Sequence, residues 1–128
     1  MTVEWKDEYN TGEADIDDQH QVIFKYLADL EAQMEKGVDE RYIKMLLDNL
    51  GLFTRSHFCY EEIYMRRIKS PMAAVNKEQH EKLLEEYGRY RQRFEVEGIS
   101  DDLVKGLHDF IANWLINHIL KVDIHMRD

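Results

Sequence analysis

"SHFCYEEIYM", residues 56–65, decides how this chain is read. It continues a run in which Ile43, Leu46, Leu47, Leu50, Phe53, Ile63, Tyr64 and Ile68 recur at mixed steps of three and four, the spacing of an amphipathic helix. His57 and Glu61 stand one turn apart on that same stripe. A helix that directs an imidazole and a carboxylate into its own core needs a partner for them there.

Working outward, Asp39 is placed to cap this helix and Ser70-Pro71 to stop it, giving a span of about 40–69. Before it, Ile16, Ile23, Phe24, Leu27, Leu30 and Met34 stripe a helix over about 17–35, ended by Gly37. After it, Leu83, Leu84, Tyr87, Tyr90 and Phe94 stripe a third over about 77–96, closed by Gly98. Ser100 caps a fourth over about 101–121, carrying Leu103, Val104, Leu107, Ile111, Trp114 and Leu115, with Val122 just beyond. Residues 1–15 are mixed and turn-rich, with Gly12, and read as an arm. There is no alternating strand pattern and no hairpin dipeptide. Four helices with short links predict an all-α, antiparallel up-down-up-down four-helix bundle filling one domain, residues 1–128.

Bulk properties narrow the function. The net charge is −9 at pH 7, which argues against nucleic acid and against an anionic membrane surface as partners. Cys59 is the only cysteine, so neither an intrachain disulfide nor a thiolate metal cage can form. The start, "MTVEWKDEYN", lacks a basic-then-apolar leader pattern, and no apolar run approaches the ~20 residues of a membrane span. The expectation is a soluble protein of the reducing cytoplasm.

Each helix carries a metal-capable residue in its stripe: His20 on the first, His57 with Glu61 on the second, His80 on the third and His118 on the fourth, with Asp123 five residues later. One buried histidine is ordinarily a hydrogen-bonded core residue. Four of them with two acids would cost several kcal/mol if left unpaired, at about 1–3 kcal/mol each. A cation satisfies imidazoles and carboxylates together, and bundles build metal sites from facing helices in this way. The set has no sulfur, exceeds a tetrahedral zinc site and contains imidazoles that all-oxygen magnesium or calcium sites lack. It suits two first-row ions bridged by the carboxylates, iron or manganese. His108 is turned about 80° from His118, and His125 lies past the helix; both read as surface residues.

The chain resembles the hemerythrins, most closely the single-domain bacteriohemerythrins. The resemblance rests on "EW" at 4–5, "IDDQH" at 16–20, "HFCYEE" at 57–62, Met65, Pro71, "EQHEKL" at 78–83 and "WLINHILKVD" at 114–123. It implies reversible dioxygen binding at a non-haem di-iron centre. His20 and His57 would hold one iron and His80 and His118 the other. Glu61 and Asp123 would bridge them, with an oxo or hydroxo group from solvent. Dioxygen would bind on the His20/His57 side.

One position departs from the family pattern, which has two histidines four residues apart on the third helix. Here the first is Asn76, in "VNKEQHE". Asn76 either caps the third helix, with Gln79 as its capping partner, or simply leaves that ligand position vacant, or serves as a weak ligand, directly or through water. Gln79 and Glu78 leave the helix on other faces. Phe58, Trp114, Leu115 and Ile119 flank the ligands as the expected oxygen pocket. The leading function is dioxygen binding for carriage, storage, sensing or delivery, with nitric oxide, peroxide or azide as other small ligands. The alternatives are a di-iron redox enzyme acting on peroxide, dioxygen or nitric oxide, and a structural bundle with an impaired site.

Overall fold

The computed structural model describes residues 3–37 and 39–127. Four helices, α1 (Ala14–Lys36), α2 (Glu40–Arg67), α3 (Ala73–Glu97) and α4 (Asp101–Lys121), follow one another with no strand among the described residues. Each packs against its neighbours in chain order, and α4 closes back on α1. This is the antiparallel up-down-up-down bundle that short links impose. No described helix is long and apolar enough to cross a membrane.

The helix ends follow local chemistry. Asp39 Oδ1 accepts from the backbone N–H groups of Arg41 and Tyr42, at 3.1 and 3.3 Å. Ser100 Oγ accepts from Leu103 N–H at 3.2 Å. Each satisfies a donor that the first turn of a helix leaves open. Gly37 and Gly98 leave α1 and α3 at φ of +96° and +83°, a region that side chains with a Cβ rarely adopt. The apolar stripes of the four helices meet in one core, including Leu27, Leu30, Ile43, Leu47, Val104 and Leu107.

Several expectations need correction. α3 starts at Ala73 rather than near residue 77. Pro71 stops α2 but suits the lead-in to a new helix, and the two alanines after Met72 are the strongest helix formers. Asn76 therefore lies inside the helix, its N–H bonded to Met72 O at 2.8 Å, and is not the cap. Ile63 and Ile68, assigned to the buried stripe, are exposed. Ile63 is two residues from Glu61, so it points to the far side, and Ile68 sits past the last turn. Met65, one turn after Glu61, fills the interior instead.

His108 is buried, not on the surface. Its rotation away from His118 turns it toward α1, where Glu31 Oε1 lies 3.1 Å from Nε2, while Asp109 Oδ1 lies 3.0 Å from Nδ1. The same Glu31 oxygen accepts from Val3 N–H at 3.0 Å, which fastens the N-terminal arm. Farther along the arm, Thr11 donates to Asp17 Oδ1 from both N–H and Oγ1–H, each at 2.8 Å. Trp5 packs edge-on against Tyr9 and Phe24. His125 is exposed, in a short 3₁₀ turn over Asp123–Arg127.

Candidate metal centre

His20, His57, Glu61, Asn76, His80, His118 and Asp123 are all buried and converge near one end of the bundle. Each helix contributes through its inward stripe. Asp123 arrives differently: α4 ends at Lys121, and Asp123 opens the 3₁₀ turn that follows.

The two carboxylates divide their oxygens between two histidine pairs. Glu61 Oε2 lies 3.2 Å from His20 Nε2 and 3.1 Å from His57 Nε2. Glu61 Oε1 lies 3.2 Å from His80 Nε2 and 3.6 Å from His118 Nε2. Asp123 Oδ2 lies 3.1 Å from His20 Nε2, and Oδ1 lies 3.1 Å from His118 Nε2. The donors of His20, His57 and Glu61 gather within 4.8 Å of one another, as do those of Glu61, His80 and His118. Asn76 joins the second set, its Oδ1 2.7 Å from His118 Nε2.

These donors fit a pair of metal ions. Cis ligands about 2.1 Å from one first-row ion lie about 3.0 Å apart. The spacing here is close to that. His80 Nε2, Glu61 Oε1 and both Asp123 oxygens are fully buried within these distances, yet have no hydrogen-bond partner. They are near one another but not aligned, as expected of atoms that face a common third point.

The outer rim fixes the imidazoles. His57 Nδ1–H donates to Gln19 Oε1 at 2.6 Å, His80 Nδ1–H to Glu62 Oε2 at 3.0 Å and His118 Nδ1–H to Gln79 Oε1 at 2.7 Å. A proton held outward on Nδ1 leaves the Nε2 lone pair inward, facing acceptor oxygens. Lone pairs set against lone pairs require protons or cations between them. Gln19, Glu62 and Gln79 were not recognised as supports in the sequence. The signal was a repeated Gln-His at 19–20 and 79–80, in which each glutamine supports the histidine of the following helix.

Without metal, protons take that place. Burial opposes the charge on His20, but the neighbouring carboxylates of Asp123 and Glu61 outweigh it and raise its pKa to about 10. The same opposition on His118 ends at about 9, with Asp123 the main support. Burial lowers His57, partly against Glu61. Burial would raise Glu61, but His118, His20 and His57 hold it well below the usual carboxylate range.

Aromatic rings wall the site. Phe58 stacks on His80 with centroids 3.7 Å apart, and half-buried Trp114 stacks on His118 at 4.5 Å. Both expected pocket aromatics thus pack chiefly on the His80/His118 half, while Trp5 lies 6.4 Å from His20. Leu115 and Ile119 are buried in the core.

A bundle that gathers one imidazole from each helix around two shared carboxylates has the donor set of a dinuclear metal-binding protein. Residues 11–126 match the family described as the hemerythrin HHE cation binding domain. The chain is 33% identical over 116 residues to a bacteriohemerythrin of Stenotrophomonas maltophilia, covering 90% of this chain and 72% of that one. It is 25% identical to a bacteriohemerythrin of Clostridium acetobutylicum, covering 93% and 94%. It is 26% identical to myohemerythrin-1 of Phascolopsis gouldii, covering 93% and 87%. The chain belongs to the hemerythrin family.

Proposed function

We propose that this protein binds dioxygen reversibly at a di-iron centre. His20 and His57 would hold one iron and His80 and His118 the other, with Glu61 and Asp123 shared between them. The observation that carries this reading is the division of each carboxylate between the two histidine pairs. Asn76 Oδ1 stands as a further, weaker donor to the second ion. A pair of ferrous ions held there would supply the electrons for binding dioxygen.

The chain's own residues do the rest. Gln19, Glu62 and Gln79 hold the Nδ1 protons of His57, His80 and His118, so each Nε2 is oriented toward the centre. Phe58, Trp114, Leu115 and Ile119 keep water away, which slows proton access to whatever binds within. The exposed single Cys59 fits a reducing compartment, and we place the protein's work in the cytoplasm.

Asn76 favours a second reading, a di-iron redox enzyme acting on peroxide, dioxygen or nitric oxide. An amide oxygen in place of an imidazole leaves one ion more open to exchange. Iron analysis with optical spectra under cycles of oxygen and argon separates these. About two irons per chain and a visible band that comes and goes support reversible binding. A band that forms once and does not reverse supports turnover. Absence of iron, or full iron content in Glu61→Ala, would refute the site.

A further inference from the structure

We propose that the His80/His118 corner is a second small-anion subsite, in which the Asn76 amide N–H donates to an anion that enters between Arg66 and Lys77. This deepens the di-iron reading and rests on it. Asn76 has no exposed surface, and its Oδ1 is already engaged, 2.7 Å from His118 Nε2. Its Nδ2, on the same buried amide, has no hydrogen-bond partner. A buried, unsatisfied donor is costly, and an acceptor at this point removes the cost. An imidazole here would put a ring nitrogen on the ion and fill the corner. The amide is a weaker donor to the ion, and it offers N–H groups that an incoming anion can use.

A second feature lies beside this corner. A groove of about 260 Å³ opens between α2 and α3, lined by Glu62, Arg66, Ala73, Ala74 and Lys77. Glu62 is also the acceptor for His80 Nδ1–H, so one side chain separates the groove from the histidine pair. Ala73 and Lys77 flank Asn76 on α3, one turn before it and one residue after. Arg66 and Lys77 place two positive charges at the groove against the one negative charge of Glu62, on a chain whose net charge is −9. Local positive potential of this kind concentrates small anions at an opening. Azide, nitrite and similar anions that accept hydrogen bonds and bind metal have the matching chemistry.

The test is an azide titration of the iron-loaded, oxidised protein, with iron per chain measured on the same samples. The native protein is expected to hold two irons and bind two azides. Asn76→Asp keeps an oxygen toward the ion but removes the N–H, so it should keep its iron and bind one azide. Asn76→Ala should weaken the second azide about ten- to a hundredfold, the loss of a hydrogen bond to a charged group. The double variant Arg66→Gln/Lys77→Gln should slow azide entry about tenfold at low salt and flatten its salt dependence. Two irons with a single azide in the native protein, or two equal azides in Asn76→Asp, would overturn the subsite. An unchanged entry rate in the double variant would overturn the route. Fewer than two irons in the native protein would sink the di-iron reading itself, and the subsite with it.

Discussion

Loading the metal-free protein with ferrous ions at about pH 7.5 should expel about two protons per chain from its side chains, besides any lost by solvent that becomes a bridging hydroxo group. The number comes from the site. His20 and His118 are held charged, with pKa values of about 10 and 9, and each must give up the Nε2 proton before an ion can bind there. His57 is lowered and already neutral, and Glu61 is already ionised. The sign follows from linkage. Raised histidines stabilise the metal-free fold fully below their unfolded value of about 6.5, and that contribution is lost as pH rises through about 9 and 10. Glu61 is the other end of the same pairs, and its contribution is lost only on acidification through its depressed pKa. Metal affinity should run the other way, rising between about pH 7 and 9 with two protons displaced. Calorimetry in buffers of different ionisation enthalpy counts the protons directly. Asp123→Asn removes a charge shared by both histidines and should lower the count toward about one. Release of less than one proton in the native protein, or an affinity flat across that range, would refute the account.

Other expectations are simpler to check. Gln19→Leu and Gln79→Leu should each weaken metal retention about 10–100-fold at their own histidine pair, seen as one fast phase in chelator competition; equal loss at both pairs would contradict the assignment. Gly51→Ala would place a Cβ 2.8 Å from the Tyr87 hydroxyl, which donates to Leu47 O, so it should cost about 1–3 kcal/mol in thermal unfolding. His108→Leu takes a partner from Glu31 and should cost about 1–3 kcal/mol, with the N-terminal arm becoming the first site of proteolysis; an arm as resistant as the native one would show that the contact does not hold it.

Much of the fold was legible because local rules and tertiary packing agree here. Leu46, Leu47 and Leu50 recur at helical spacing and are buried, and Asp39 and Ser100 cap as their types suggest. The inward histidines were legible because polar groups on an apolar stripe break the pattern that the stripe sets. What was hidden depends on partners distant in sequence. His108 looked exposed until Glu31, 77 residues away, appeared beside it. The start of α3 is hidden because Pro71 reads as a stop, although the same residue suits the lead-in to a new helix. That ambiguity carries over to Asn76, whose capping reading depends on the helix starting there. The Gln19 and Gln79 bonds cross between helices, so spacing within one helix could not reveal them.

The site also divides the bundle into two ends that rest on different physics. The end with the Gly37 and Gly98 turns is closed by apolar packing and by the buried His108–Glu31 contact, neither of which needs a metal. The end with the Ser70-Pro71 turn joins residues from 20 to 123 through charged groups around a shared centre. Metal supply then acts as a local zipper on one end only. If the site holds iron as proposed, a chain short of it should keep its other end while this one opens more often, with the segment around Pro71 cut first in limited proteolysis. The lifetime of this protein would thus follow the iron supply, through the placement of a few inward side chains and without any separate sensing module.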